Sequence, residues 1–121
     1  YSGKELRRFV IEHNKKVKQQ MRELITLLYQ RELQLELENI DQYFEQWRKG
    51  EFSPFELSEH IHEFHQNPSR ELFSKYQSTS LFPTYVTQGI AKKILDPSEI
   101  PAETWKALEN NITFWEKEFK E

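Results

Sequence analysis

The 121-residue chain has no cysteine, only three glycines and no long run of apolar residues. Without cysteine the chain can form no disulfide framework, thiolate metal site or thiol nucleophile. It also lacks a glycine-rich phosphate loop, a Gly-x-Ser-x-Gly nucleophile elbow and a His-Glu-x-x-His metal motif. No segment approaches the ~18 apolar residues of a membrane span, and no apolar signal-like run opens the chain. We therefore expect a cytoplasmic protein.

Hydrophobic residues make up 36% of the sequence, below the usual range of about 45–50%. Aromatic side chains compensate, because nine Phe, five Tyr and three Trp are present and each buries roughly 150–250 Å². This composition indicates a globular chain, and its length predicts a single domain over residues 1–121.

No proline or glycine interrupts residues 4–49. Apolar residues recur there at helical spacing, and Asn14 occupies the one position of the series that is not apolar. The average spacing is ~3.7 residues, which keeps the series on one face of a nearly straight helix. The pattern predicts one helix over about residues 4–48, roughly 65 Å long. The stripe consists of Val10, Val17, Met21, Ile25, Tyr29, Leu33, Leu37, Ile40, Phe44 and Trp47.

The stripe changes phase between Leu28 and Leu33, which leaves a rival arrangement of two antiparallel helices joined near residues 30–32. That join, Gln30-Arg31-Glu32, consists of good helix formers and contains no turn residue. We therefore predict continuous helix through residues 28–34.

Signals for the start of shorter helices follow Gly50. Ser53-Pro54-Phe55-Glu56 combines an N-cap serine, a proline at the first helical position and a glutamate two residues later. The predicted helix runs to about Gln66, because Pro68 disfavours helical geometry at Asn67. Asn67-Pro68 is expected to cap a short third helix, which carries on one side Leu72, Phe73 and Tyr76.

Two further helices are predicted before the C-terminus. One begins at Ser80 or Phe82 and ends near Leu95, and its Gly89 either weakens it or allows another helix to approach closely. Its inward residues are Phe82, Tyr85, Val86, Ile90 and Ile94. Asp96-Pro97-Ser98-Glu99 repeats the capping pattern for a single turn, and Pro101 opens the last helix. The apolar stripe of that helix is Trp105, Leu108, Ile112, Trp115 and Phe119.

Charge is divided unevenly along the chain. Residues 1–31 hold eight Lys or Arg against three Glu, whereas residues 32–121 hold nine against seventeen acidic residues. A basic face on the first helix, within an arc of about 100°, consists of Lys4, Arg7, Arg8, Lys15, Lys18 and Arg22. We interpret it as a solvated face balanced by the acidic remainder. Nucleic-acid binding is kept as an alternative, although few aromatic side chains interleave the basic ones.

Three of the four histidines lie between Glu56 and His65. Glu59-x-x-His62 matches the Glu-x-x-His motif with which di-iron helical bundles bind their metal. Such a site needs this motif on two helices, and the sequence contains only one. On the helical wheel the buried face is formed by Leu57, Ile61 and Phe64. His60 and His65 flank this face, which makes them boundary residues. A metal-binding helical enzyme is retained as an alternative, and its candidate residues are Glu59, His62 and His65.

The sequence thus predicts an all-α helical bundle in which a long N-terminal helix is packed by three or four shorter ones. It identifies no catalytic residue and predicts no cofactor or metal. The expected function is protein interaction or self-association, because the apolar stripe is longer than the shorter helices can cover. An antiparallel dimer through the long helix is favoured, since it places the basic face beside acidic residues of the partner helix. Those acidic residues are Glu32, Glu36, Glu38, Asp41 and Glu45.

Overall fold

The computed structural model describes the backbone of residues 3–109 and the side chains of residues 15–109. Within these residues every regular element is helical. The elements are α1 (Gly3–Arg48), α2 (Pro54–Phe64), a π-helix (His65–Ser69), α3 (Arg70–Lys75), a 3-10 turn (Thr79–Leu81), α4 (Phe82–Ala91) and a second 3-10 turn (Pro97–Glu99). A further helix, α5, occupies residues 102–109. The prediction of an all-α protein with a long N-terminal helix is confirmed.

Helix α1 is continuous over 46 residues, a length of roughly 69 Å. Residues 28–34 are helical, so the rival arrangement with a turn near residue 31 is wrong. The chain forms two compact units. Tyr1–Leu28 and Ser80–Glu121 form one, which we call the terminal unit, and Tyr29–Thr79 form the other, the hairpin unit.

The terminal unit has an apolar core made by α1 and the segments after residue 80. Its buried side chains are Val17, Leu24, Ile25, Leu28, Val86, Ile90, Leu95, Ile100 and Leu108. Val17 and Ile25 belong to the predicted stripe, but Leu24 and Leu28 lie beside it. The buried face of this part of α1 is therefore wider than the stripe. Of the stripe predicted for the last helix, Ile112, Trp115 and Phe119 lie outside the described residues.

At Gly89 the backbone of α4 lies close to a side chain of α1. A Cβ atom at this position would lie 2.5 Å from Leu28 Cδ2, and the Leu28 side chain is only 1% exposed. Any side chain at position 89 would therefore force Leu28 to move. Of the two alternatives for Gly89, the structure shows the close helix approach.

Helix α4 ends at Ala91, four residues before the predicted end near Leu95. Lys93 adopts a left-handed φ of 64°, and its N–H donates to Ile90 O while Ile94 N–H donates to Gly89 O. These two bonds form a Schellman motif, which usually carries Gly or Asn at the left-handed position. The helix end is not predictable from the sequence because a lysine occupies that position. The turn brings Leu95 into full burial.

Polar side chains join α5 to α1 inside the terminal unit. The Thr104 hydroxyl donates to Gln20 Oε1 at 2.7 Å, and Lys16 Nζ lies 3.0 Å from Glu103 Oε1. The pKa of Glu103 is lowered by its own backbone amide, then by hydrogen bonds from Lys16 and Gln20 and by the charge of Lys16. An acidic residue of the later chain thus balances one lysine of α1.

The hairpin unit packs the second part of α1 against α2, the π-helix and α3, which run antiparallel to it. Tyr43 near the end of α1 stacks on His60 in α2, whereas Tyr29, earlier in α1, stacks on Tyr76 beyond α3. Gly50 turns the chain with a positive φ of 80°. The predicted capping box is confirmed, because Glu56 N–H donates to Ser53 Oγ and Ser53 N–H donates to Glu56 Oε1.

The predicted helix break at Asn67-Pro68 is wrong. The chain stays helical from Pro54 to Lys75, with a π-helix over His65–Ser69, and α3 has no side-chain cap. In α-helical geometry the Pro68 ring would clash with the carbonyl group of Phe64. The wider π-helical turn holds one more residue than an α-turn, which accommodates the proline without ending the helix.

The extra residue also sets the orientation of α3. In an uninterrupted α-helix Tyr76 would lie about 100° away from the direction in which Leu57 points. The π-helix rotates the chain by about this angle less than an α-helix of the same length would. Leu57 and Tyr76 are therefore both buried on the α1 side. The two helices on either side of Pro68 therefore pack as one element against α1.

Candidate interaction surface

The hairpin unit has two flanks, one on each side of the line along which its helices pack. The first, which we call the His60 flank, is defined by side-chain contacts between neighbouring helices. Tyr43 and His60 stack there with ring centroids 3.9 Å apart and an interplanar angle of 7°. Further along, Lys75 Nζ lies 3.6 Å from Glu32 Oε1. Aromatic and charged side chains from α1 and from the α2–α3 segment therefore meet on this flank.

The opposite flank follows from the rotation of about 100° between neighbouring helical residues. Ile40 and Leu57 point inward, and Tyr43 and His60 lie to one side of them. Phe44 and Ile61, the next residue along each helix, therefore lie on the other side. Because Tyr43 and His60 are level with each other and the two helices run in opposite directions, Phe44 and Ile61 lie within about 3 Å of the same level.

The same geometry holds at the other end of the hairpin. Glu32 and Lys75 meet on the His60 flank, while Tyr76 points inward. Leu33 and Phe73 are thus on the opposite flank and at a similar level. We call this side the apolar flank and define it as Leu33, Leu37, Phe44, Ile61 and Phe73.

The apolar flank exposes large side chains to solvent. Leu37 is 47% exposed, Ile61 40% and Phe73 56%, and Leu33 and Phe44 are half-buried. From Leu33 to Phe44 the surface extends about 17 Å along the helices. Large apolar side chains grouped on one face of a small unit are typical of an interaction site.

A shallow cleft lies on each flank. The cleft on the apolar flank has a volume of about 400 Å³ and is lined by Tyr29, His65, Gln66, Ser69, Arg70 and Phe73. The cleft on the His60 flank has a volume of about 370 Å³, and its lining includes Tyr43, His60, Glu63, Asn67 and Pro68. The π-helix thus contributes to both surfaces.

The histidine-rich segment does not form a convergent site. Glu59, His62 and His65 are all exposed, and among the described residues no three His, Cys, Asp or Glu side chains could hold a metal ion. His60 is a boundary residue, as predicted, because its ring packs on Tyr43 and Phe52. Its Nδ1 lies 3.9 Å from Glu63 Oε2. Its ring therefore serves as a packing surface within the hairpin.

The basic face of α1 is described only in part. Lys15, Lys18 and Arg22 are exposed, whereas the side chains of Lys4, Arg7 and Arg8 lie outside the described residues. The acidic residues expected to face it in a dimer are partly engaged within one chain, because Glu32 accepts from the Tyr76 hydroxyl at 2.7 Å and pairs with Lys75. Glu38, Asp41 and Glu45 are exposed.

Two residues of the apolar flank do not lie where the sequence pattern predicts them. Ile61 was predicted to be buried with Leu57 and Phe64, and Phe73 was grouped with Leu72 and Tyr76. Ile61 lies at the edge of the α2–α1 contact, and the rephasing of α3 places Phe73 on the flank. No local signal in the sequence indicates the π-helix except Pro68 within an otherwise helical stretch.

No described helix is both long enough and apolar enough to cross a membrane. No protein-family model matches the chain, and neither the curated proteins nor the solved structures give a match. The functional assignment therefore rests on the surface itself.

Proposed function

We propose that the protein is a protein-interaction module that associates with itself through the hairpin unit. The observation that carries the proposal is the group of exposed side chains Leu37, Ile61 and Phe73 on one flank. Exposed apolar area of this kind is removed from water when a partner covers it, which stabilises association by about 25 cal/mol per Å² before the costs of binding.

The surface for association differs from the stripe expected from the sequence. Val17, Ile25 and Ile40 of that stripe are buried within a single chain, so they are not available to a partner. Three residues belong to both the stripe and the apolar flank, namely Leu33, Leu37 and Phe44. We therefore still propose self-association, but through the apolar flank of the hairpin unit and not through the whole stripe of α1.

The flank is small, which sets the expected strength of association. A strip about 17 Å long and two helices wide covers roughly 300 Å² per copy. The total is below the ~1,200 Å² of a standard stable interface, as in weak or transient complexes. We therefore expect a dimer that forms and dissociates at micromolar to submillimolar concentration.

Sedimentation equilibrium tests this proposal over about 5–500 µM protein. The weight-average mass should rise toward that of a dimer, and Leu37→Glu should hold it near the monomer mass because a charge cannot be buried unpaired. Leu35→Glu is the matched control, because Leu35 is also exposed but lies about 160° from Leu37 around α1. A monomer mass at every concentration would refute self-association.

We also propose that the protein is located in the cytoplasm. Microscopy of the tagged chain in its own cells tests it, and a signal confined to another compartment would contradict it.

A further inference from the structure

We infer that a second copy of the chain docks on the apolar flank with its hairpin parallel to the first, so that α1 of each copy lies over the α2–α3 side of the other. This inference rests on the proposed self-association and adds its geometry. It follows from the charges at the two edges of the flank, the level of its residues and the position of the cleft.

The two edges of the apolar flank differ in charge. The α1 edge carries the exposed acids Glu38, Asp41 and Glu45, with Arg48 at the helix end. On the α2–α3 edge the exposed charged or ionisable side chains nearest the flank are His62, His65 and Arg70. Arg70 is cationic, and none of these three residues is acidic. The α1 edge of one copy is therefore complementary to the α2–α3 edge of another.

A closed two-fold dimer can be built on this flank in two principal ways. With the axis perpendicular to the helices, α1 lies antiparallel on α1, and the acidic edges meet each other. With the axis parallel to the helices, each acidic edge meets the edge that carries Arg70. Like charges facing each other oppose association, whereas complementary edges favour it, so the parallel arrangement is selected.

Symmetry then fixes the register of contacts. Rotation about an axis parallel to the helices leaves every residue at its own level along that axis. Phe44 of one copy must therefore lie over Ile61 of the second copy, and Leu33 over Phe73. Neither pair requires any shift of the two hairpins along each other.

The cleft on the apolar flank supports this register. It is lined by His65, Ser69 and Phe73, among others, and these residues lie on α2–α3 opposite the middle of the α1 contact. Leu37, the exposed residue of α1 at that level, is placed over the cleft of the second copy. The parallel dimer thus places the most exposed leucine of the flank over the cleft of the second copy.

Disulfide trapping between single-cysteine variants tests the arrangement, and the absence of native cysteine makes each product unambiguous. An equimolar mixture of Phe44→Cys and Ile61→Cys is oxidised, and Leu33→Cys with Phe73→Cys provides a second pair in case one half-buried substitution destabilises the chain. We expect mixed disulfides in excess of both homodisulfides beyond the random ratio. Leu35→Cys, which is off the flank, is the control for random collision.

Leu37→Cys alone distinguishes the rival geometry. In the antiparallel dimer Leu37 lies near its own counterpart, so a rapidly formed homodisulfide with no excess of mixed disulfides would overturn the parallel arrangement. If the wild-type mass rises with concentration but no flank pair is trapped above the Leu35→Cys level, the docking inference is refuted while self-association stands. If the mass stays monomeric, both are refuted.

Discussion

At the scale of single residues, Gly89 determines how closely α4 can approach α1. The missing side chain leaves space that Leu28 fills, since a Cβ atom would come within 2.5 Å of Leu28 Cδ2. Leu28 is almost fully buried, so its side chain has little room to move. In so closely packed a core, a change in side-chain volume of a single methyl group affects stability.

Gly89→Ala should therefore destabilise the protein, although alanine favours helix by about 1 kcal/mol. Overpacking costs about 1–3 kcal/mol, so we expect a net loss of up to about 2 kcal/mol in urea unfolding. In a Leu28→Ala background the clash is removed, and the same change should become neutral or stabilising. Equal destabilisation in both backgrounds would show that Leu28 is not the obstacle.

Residue-level predictions from the sequence succeeded where the interaction is local. The capping boxes at Ser53 and Asp96 involve residues three apart, and both are present. Burial was less predictable, because it depends on distant helices. Ile61 has the correct helical spacing for the core, yet the hairpin leaves it at the edge. The end of α4 was missed because Lys93 adopts a conformation that usually requires glycine or asparagine.

At the scale of elements, the π-helix over His65–Ser69 joins α2 and α3 into one face against α1. It solves two problems together, since it accommodates Pro68 and rotates α3 so that Tyr76 is buried. A sequence-based reading that allows only α-helix must place a break there. The proline was correctly recognised as incompatible with an α-helix, but the outcome was a wider turn.

Deleting Gln66 should convert this segment to a continuous α-helix without changing the direction of Tyr76. The test is made in a Pro68→Ala background, because proline inside an α-helix costs about 3 kcal/mol. Relative to Pro68→Ala alone, the deletion should leave the free energy of unfolding nearly unchanged.

Insertion of one alanine after Gln66 in the same background is the matched control. It turns α3 by about a further 100° and removes Tyr76 from Tyr29 and Glu32, so we expect a loss of at least about 2 kcal/mol in urea unfolding. Equal losses for the deletion and the insertion would contradict the role of the π-helix in setting the phase.

At the scale of the whole molecule, the sequence predicted the helical class and the continuity of α1 because both depend on patterns that repeat over many residues. It could not predict which apolar residues stay exposed. That outcome depends on how the two helical segments of the hairpin face each other, and on the rephasing at Pro68. The predicted stripe contains Leu33, Leu37 and Phe44 of the candidate surface, whereas the structure was needed to place Ile61 and Phe73 beside them.

Association through the apolar flank is tested most directly by backbone amide NMR spectra recorded as the protein is diluted. Between about 500 and 5 µM, chemical shifts should change most at Leu33, Leu37, Phe44, Ile61 and Phe73. Leu35 and Phe55 are also exposed but lie off the flank, and their shifts should stay constant. Spectra that do not change with concentration, or changes centred on the His60 flank, would contradict the account.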